Sequence, residues 1–188
     1  MKIYIRKTFK YNPCHSGLPK YESYEAVTRQ TYSPEIIMPE KHEKFDLPTF
    51  CSSLIRCVQT AKATSCGKTV ELDDLREIKF SLHDLVSKKE FETDGSVLVR
   101  KRFIEAFIKD TLLESRTQTK KRMDSLLKKL KNLPDRDYLL VSHSFYMKIL
   151  QGYLCDKELF RKPRLLRKYF DPLVKTFENG EGFEFDVE

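Results

Sequence analysis

Apolar and polar side chains alternate over residues 1–6, with Ile3 and Ile5 on one side and Lys2, Tyr4 and Arg6 on the other. That period of two predicts a strand, and Pro13, Gly17 and Pro19 mark the loop that follows it. Residues 24–32 fit a short helix, while Pro34, Pro39 and Pro48 prevent a longer one. Thr49-Phe50-Cys51 reads as a short strand, residues 54–64 carry helical spacing, and Thr69-Val70-Glu71-Leu72 offers a third strand after Gly67. Between residues 96 and 133, Phe103, Phe107, Ile108, Leu112, Met123, Leu126, Leu127 and Leu130 recur mostly three to four apart with charges between them. This predicts two helices broken near Glu114-Ser115. A turn at Pro134 leads into Tyr138-Leu139-Leu140-Val141-Ser142, a continuous apolar run expected to be a buried strand, and helical spacing resumes from Phe145 to Leu154. After Asn179-Gly180-Glu181-Gly182, the residues Phe183, Phe185 and Val187 alternate with acids, which suggests a terminal hairpin or edge strand.

Alternating strands and helices predict an α/β fold, a three-layer sandwich around a central, mainly parallel sheet. At 188 residues the chain is expected to be a single domain, 1–188, with core enough to stand without disulfides or metals. Its 40% hydrophobic and 34% charged residues and mean hydropathy of −0.53 are those of a soluble globular protein. No apolar run approaches the ~20 residues that a bilayer demands, and residues 1–6 lack the apolar stretch of a signal peptide, so a membrane role is excluded and the cytoplasm is the expected location. Thirty-five Lys and Arg against twenty-eight Asp and Glu leave a net charge of +7, which favours anionic partners. The five cysteines form no C-x-x-C pair and the four histidines have no spacing that would put two on one helix face. Neither a metal site nor another cofactor is therefore expected.

In such sheets ligands bind beyond the carboxyl ends of the strands. Those positions hold Arg6-Lys7-Thr8, then Ser52-Ser53-Leu54-Ile55-Arg56, then Leu75-Arg76-Glu77, then Ser142-His143-Ser144. Two arginines can grip a phosphate, a histidine can donate to its oxygens, and a carboxyl group can protonate a leaving alkoxide. Singly, each has an ordinary explanation: a solvated arginine, a loop acid, a satisfied histidine at a strand end. Together they outline a site for a phosphate ester.

The run Cys51-Ser52-Ser53-Leu54-Ile55-Arg56-Cys57-Val58-Gln59-Thr60-Ala61 resembles the S-S-P-L-x-R-A-x-Q-T-A signature of the histidine phosphatase superfamily, the phosphoglycerate-mutase-like proteins, at Ser52, Leu54, Arg56 and Gln59-Thr60-Ala61. Leu75-Arg76-Glu77 through Phe80 is similar to that family's L-x-E-x-x-F-G, Glu114-Ser115 with Arg122 to its E-S-x-x-x-x-x-x-R helix start, and Leu140-Val141-Ser142-His143 to its V-S-H-G strand end. Order and spacing agree over most of residues 1–154. The resemblance implies a phosphoglycerate-mutase-like fold in which Arg6, Arg56 and His143 line a phosphate pocket and Glu77 is the proton donor. The family opens with R-H-G, its histidine being the nucleophile; this chain has Arg6-Lys7-Thr8, so Lys7 stands at the nucleophile's position. An ammonium beside a phosphate keeps its proton and has no lone pair to attack with, although neighbouring arginines act the other way. Thr8 replaces the close-approach glycine, the R-H-G-x-T-x-x-N register is not kept, and Ser144 replaces the last glycine.

The expected function is thus binding of a phosphorylated small molecule, or inorganic phosphate, with phosphatase activity lost or much reduced. Two alternatives stand beside it. One is an active phosphomonoesterase using water or another side chain as nucleophile, for which His15 on its loop is a candidate to reach the pocket. The other is a basic module for polyanions using residues 120–131 or 161–168; no recognised nucleic-acid module is present, so nucleic acid is not the expected partner. Cys57, on an apolar helix face, is expected to fill core rather than react.

Overall fold

The computed structural model describes residues 1–14, 17–173 and 177–187; His15 lies outside the described residues. The strands are β1 (Lys2–Lys7), β2 (Thr49–Cys51), β3 (Thr69–Glu71), β4 (Tyr138–Ser142) and β5 (Gly182–Asp186). They form one sheet in the order β3-β2-β4-β1-β5. All neighbours are parallel except β5, which runs antiparallel along β1. The C-terminal alternation is therefore an edge strand. Gly182 permits it: a Cβ there would stand 1.7 Å from the Ile5 carbonyl oxygen.

The helices are α1 (Lys20–Thr28), α2 (Ile55–Thr64), α3 (Leu82–Leu85), α4 (Lys88–Lys109), α5 (Arg116–Lys131) and α6 (Ser144–Cys155). β4 is buried along its whole length, as its unbroken apolar run predicts. Its side chains divide between two cores: Tyr138 and Leu140 join Ile3 and Ile5 in the larger one with α4, α5 and α6, while Leu139 and Val141 meet Cys51 of β2 and Cys57 and Ala61 of α2. The sheet is thus the middle layer of an α/β sandwich, mostly parallel, as expected from the sequence.

The predicted break between the long helices is real and has a local cause. Asp110 ends α4 in the left-handed conformation, and Ser115 starts α5 with a capping box completed by Gln118. α4 begins earlier than its apolar spacing indicated, at a second capping box of Ser87 and Glu90. It is interrupted at Gly95, whose backbone (φ 56°, ψ −141°) is not helical. α1 starts at Lys20 rather than Tyr24 and is tied to α3 by Glu25, whose carboxylate accepts from the backbone of Leu82 and His83 and from Ser81. Burial would raise the pKa of Glu25, but bonds from Arg29, His83 and Leu82 hold it below its ordinary value.

Candidate active site

Register brings the strand ends together. Lys7 lies opposite Ser142, and Cys51 opposite Val141, so the residues after β1, β2 and β4 are neighbours at one edge. Cross-links fix them there: Thr8 N–H donates to the Ser142 carbonyl at 3.0 Å, Ser52 N–H to the Val141 carbonyl at 3.0 Å, and the Ser142 hydroxyl to the Leu75 carbonyl at 2.7 Å.

Arg56 enters this edge from the first turn of α2 and is only 2% exposed. Its guanidinium carbon lies 5.2 Å from the centre of the Tyr11 ring, and Nη1 donates to Ser33 at 3.4 Å. The buried Nε has no hydrogen-bond partner, and among the described residues no carboxylate is close enough to form an ion pair with this side chain. A buried cation in that state is incomplete, and an anion would complete it.

His143, also 2% exposed, follows β4. Its Nε2 lies 2.9 Å from the Ser52 hydroxyl and 3.3 Å from the Cys57 sulfur. Burial, reinforced by Arg56, Arg122 and Arg76, holds its pKa well below 6.5, so the ring is neutral. Glu77 is reached through the turn after β3. Its carboxylate accepts from the backbone N–H of Ile78 at 3.0 Å, Tyr146 at 2.8 Å and Phe145 at 3.2 Å, the last two in the first turn of α6. Burial nevertheless outweighs these bonds and the field of Arg56, and raises its pKa. The result is a carboxyl group disposed to keep a proton beside a fixed cation.

Arg56, Glu77, His143 and Lys7 line one cavity of about 500 Å³. Lys7 Nζ donates to the Phe177 carbonyl at 2.9 Å. Arg6 departs from expectation: it does not line this cavity. The period-two alternation that aims Ile3, Ile5 and Lys7 to one face sends Arg6 to the other, where its guanidinium lies 5.1 Å from the Phe45 ring and 3.8 Å from Glu43. Thr8, in the glycine's position, is buried and donates to the Arg56 carbonyl at 3.0 Å, so its side chain ties β1 to α2.

Glu114 and Arg122 form a bidentate pair at 2.8 and 3.0 Å. Arg122 also donates to the carbonyls of Asp74 and Arg76, bracing the turn that presents Glu77. Cys57 is buried and burial pushes its thiol pKa up, so it remains a neutral packing group. Sequence reasoning missed Tyr11, which shields Arg56, and Arg100, which lines the cavity from α4. Neither sits in a motif, and only the folded arrangement brings them near. Several cations of the two basic stretches are paired, Lys120 with Asp124, Lys129 with Asp74, Arg161 and Lys162 with Glu158, and Arg167 with Glu105. Among the described residues no cluster of His, Cys, Asp and Glu could hold a metal, and no helix is long and apolar enough to cross a membrane.

A fold of this topology with a buried arginine, histidine and carboxyl group at its strand ends defines a phosphatase-like α/β protein. The chain belongs to the histidine phosphatase superfamily (branch 1), whose family model matches residues 40–168. That match takes in Arg56, Glu77, Arg122 and His143 and begins after β1. Among solved structures, it is similar to "Mycobacterial hydrolase 1" (13% identity, TM-score 0.54, 97% of this chain and 87% of that one). A mycobacterial glucosyl-3-phosphoglycerate phosphatase in complex with VO3 (14%, 0.53, 97% and 90%) and phosphoglycerate mutase from Bacillus anthracis str. Sterne (14%, 0.50, 97% and 86%) are similar too. At such identities the likeness is one of fold. No curated protein is matched by the sequence.

Proposed function

We propose that this protein binds the phosphate of a phosphorylated small molecule between Arg56, His143 and Glu77, and that its phosphatase activity is lost or strongly reduced because Lys7 occupies the position of the attacking histidine. The observation that carries this reading is the buried Arg56 guanidinium, with an unpartnered Nε and, among the described residues, no carboxylate within ion-pair distance. In the bound state Arg56 holds the phosphoryl oxygens with charge-assisted hydrogen bonds. Neutral His143 donates one more, and protonated Glu77 donates to the bridging ester oxygen. Lys7, donating to the Phe177 carbonyl, adds positive charge and no lone pair. Binding of VO3 and of inorganic phosphate by the mycobacterial phosphatase of similar fold supports a phosphate site at this edge.

The raised pKa of buried Glu77 favours a second reading, an active phosphomonoesterase in which water attacks phosphorus as the ester P–O bond breaks, Glu77 hands a proton to the leaving alkoxide, and the proton shed by the water restores the carboxyl group. Calorimetric titration with inorganic phosphate tests the site itself. The wild type is expected to bind, and Arg56→Ala to lose on the order of a hundredfold in affinity, the charge-assisted bonds of one guanidinium. Equal affinity in the two proteins refutes the assignment. Turnover of an aryl phosphate across pH, with Arg56→Ala as the contamination control, then separates the readings. Turnover that disappears in the control establishes the esterase, and none in either protein establishes a binding protein.

A further inference from the structure

The cavity does not end at its charged groups. Its wall continues along α1 and α4 with Tyr24, Val27, Phe91 and Val99, and is closed by Phe80 and Phe145. These side chains support one another: the Tyr24 and Phe91 rings lie 5.1 Å apart, and Phe80 and Phe145 meet edge to face at 5.5 Å. Two of the hydroxyls on the same helices are engaged, Thr28 donating to the Glu25 carbonyl and Ser96 accepting from Arg100. Glu77 is the one acid lining the cavity among the described residues, while Lys10, Lys20 and Arg100 line it as cations. At Gly95 the helix break leaves open space where a side chain would stand, and this glycine too borders the cavity.

We infer that the alcohol half of the bound phosphomonoester is an apolar, aromatic or fused-ring body, not a sugar, glycerate or other polyol. The inference rests on the phosphate-site reading above and adds the substrate class to it. A polyol laid against Val27, Phe91, Val99 and Phe145 exchanges water for ring faces and methyl groups, and the hydroxyls turned to that wall lose hydrogen bonds they do not recover there. An aromatic body loses only water it is poorly solvated by, and gains ring contacts with Tyr24, Phe91 and Phe145. The cationic lining meets the dianionic phosphate, and the volume of about 500 Å³ accommodates phosphate and ring system together.

Titration of the full chain with inorganic phosphate, glycerol 2-phosphate and 1-naphthyl phosphate tests this. If the aryl ester is turned over, kcat/KM replaces affinity as the readout. Naphthyl phosphate is expected to be favoured over glycerol 2-phosphate on the order of tenfold or more. Val99→Thr, which keeps the side-chain shape, and Tyr24→Ala, at a half-buried position, should each narrow that ratio. Binding of inorganic phosphate with equal affinity for the two esters overturns the inference and leaves the phosphate site standing. A ratio that neither substitution changes overturns the assignment of this wall. Failure of inorganic phosphate to bind overturns the site reading, and this inference with it.

Discussion

The ends of β1 and β4 are side by side in the sheet, with Lys7 opposite Ser142, and they are built on different principles. The β4 end is a closed polar network. Ser142 and His143 are buried, the serine bonds the Leu75 carbonyl, and the histidine reaches Ser52 and Cys57. At the β1 end, Thr8 makes the buried bonds and Lys7 faces the cavity, while Arg6 has gone to the opposite face. One strand end presents groups suited to holding an anion; the other spends its buried hydroxyl on fastening the strand to α2. A phosphohistidine mechanism needs both ends to converge on one phosphorus atom. Anion binding needs only the first, together with Arg56 and Glu77. On the function proposed above, the contrast separates holding from attacking within one fold.

The largest effect expected from breaking the holding side is on stability. Glu114 and Arg122 are 13% and 16% exposed, so Glu114→Ala leaves a nearly buried guanidinium without its carboxylate. A loss of about 3 kcal/mol is expected, seen as a Tm lowered by roughly 2–4 °C for each kcal/mol in a chain of this size. A Tm within a degree of wild type would mean that the brace under Glu77 is dispensable.

Lys7→His addresses the attacking side. An imidazole at this position would face the cavity shared by Arg56, Glu77 and His143. Aryl-phosphate turnover is expected to rise on the order of tenfold over wild type, well short of the contribution made by a fully placed nucleophile. The modest size follows from Thr8, whose bonds to Arg56 and Thr60 fix the backbone beside the new group. Lys7→His with unchanged turnover would show that position 7 lies outside attacking geometry.

The two buried titratable groups give opposite pH dependences. His143 has a folded pKa far below 6.5, so as pH falls through 6.5 the unfolded chain binds a proton that the folded chain refuses. Stability is lost toward acid, at up to ~1.4 kcal/mol per pH unit. Glu77 has a raised folded pKa, so above its ordinary value of 4.5 the unfolded chain releases a proton that the folded chain keeps. Its contribution is full in acid and is lost as pH rises through the folded pKa. From 4.5 upward, as far as the folded pKa of Glu77 and no further than 6.5, the two slopes therefore oppose each other. Urea unfolding across this range should show a flatter acid limb for His143→Asn and a steeper one for Glu77→Gln. Parallel limbs in all three proteins would deny both assignments.

Much of this was legible in the sequence where periodicity and motif coincide. The apolar run of β4, the alternation of β1, the Gln59-Thr60-Ala61 turn of α2 and the capped start of α5 each carry a local signal, and each holds in the fold. Arg56, Glu77 and His143 were legible as strand-end residues because a parallel sheet places such ends together. Arg6 was misplaced although the decisive signal was present: its parity with Tyr4 already put it opposite Ile3 and Ile5. The connection over residues 29–48 carries no helix or strand, and only isolated bridges join Tyr11 to Ile36 and Phe45 to Ser65. Such contacts are long-range and leave no period to read. Nor does sequence separate Tyr24, Val27 and Phe91 as wall residues from their neighbours, since burial against another helix looks identical to core packing.

The smallest expected effect lies on the side of the cavity remote from the family motifs. Gly95 sits at φ 56° and ψ −141°, a conformation that any L side chain adopts only under strain. A Cβ there meets nothing within 4 Å, so Gly95→Ala introduces no clash and isolates the backbone cost. A loss of about 1 kcal/mol is expected, the strain being partly offset by the smaller entropy of the unfolded chain. Thermal unfolding should therefore show a fall of a few degrees. A gain in Tm would instead mean that alanine lets α4 run on as one continuous helix; the break would then be a weakness of glycine in a helix, not a shape imposed by its packing against the cavity.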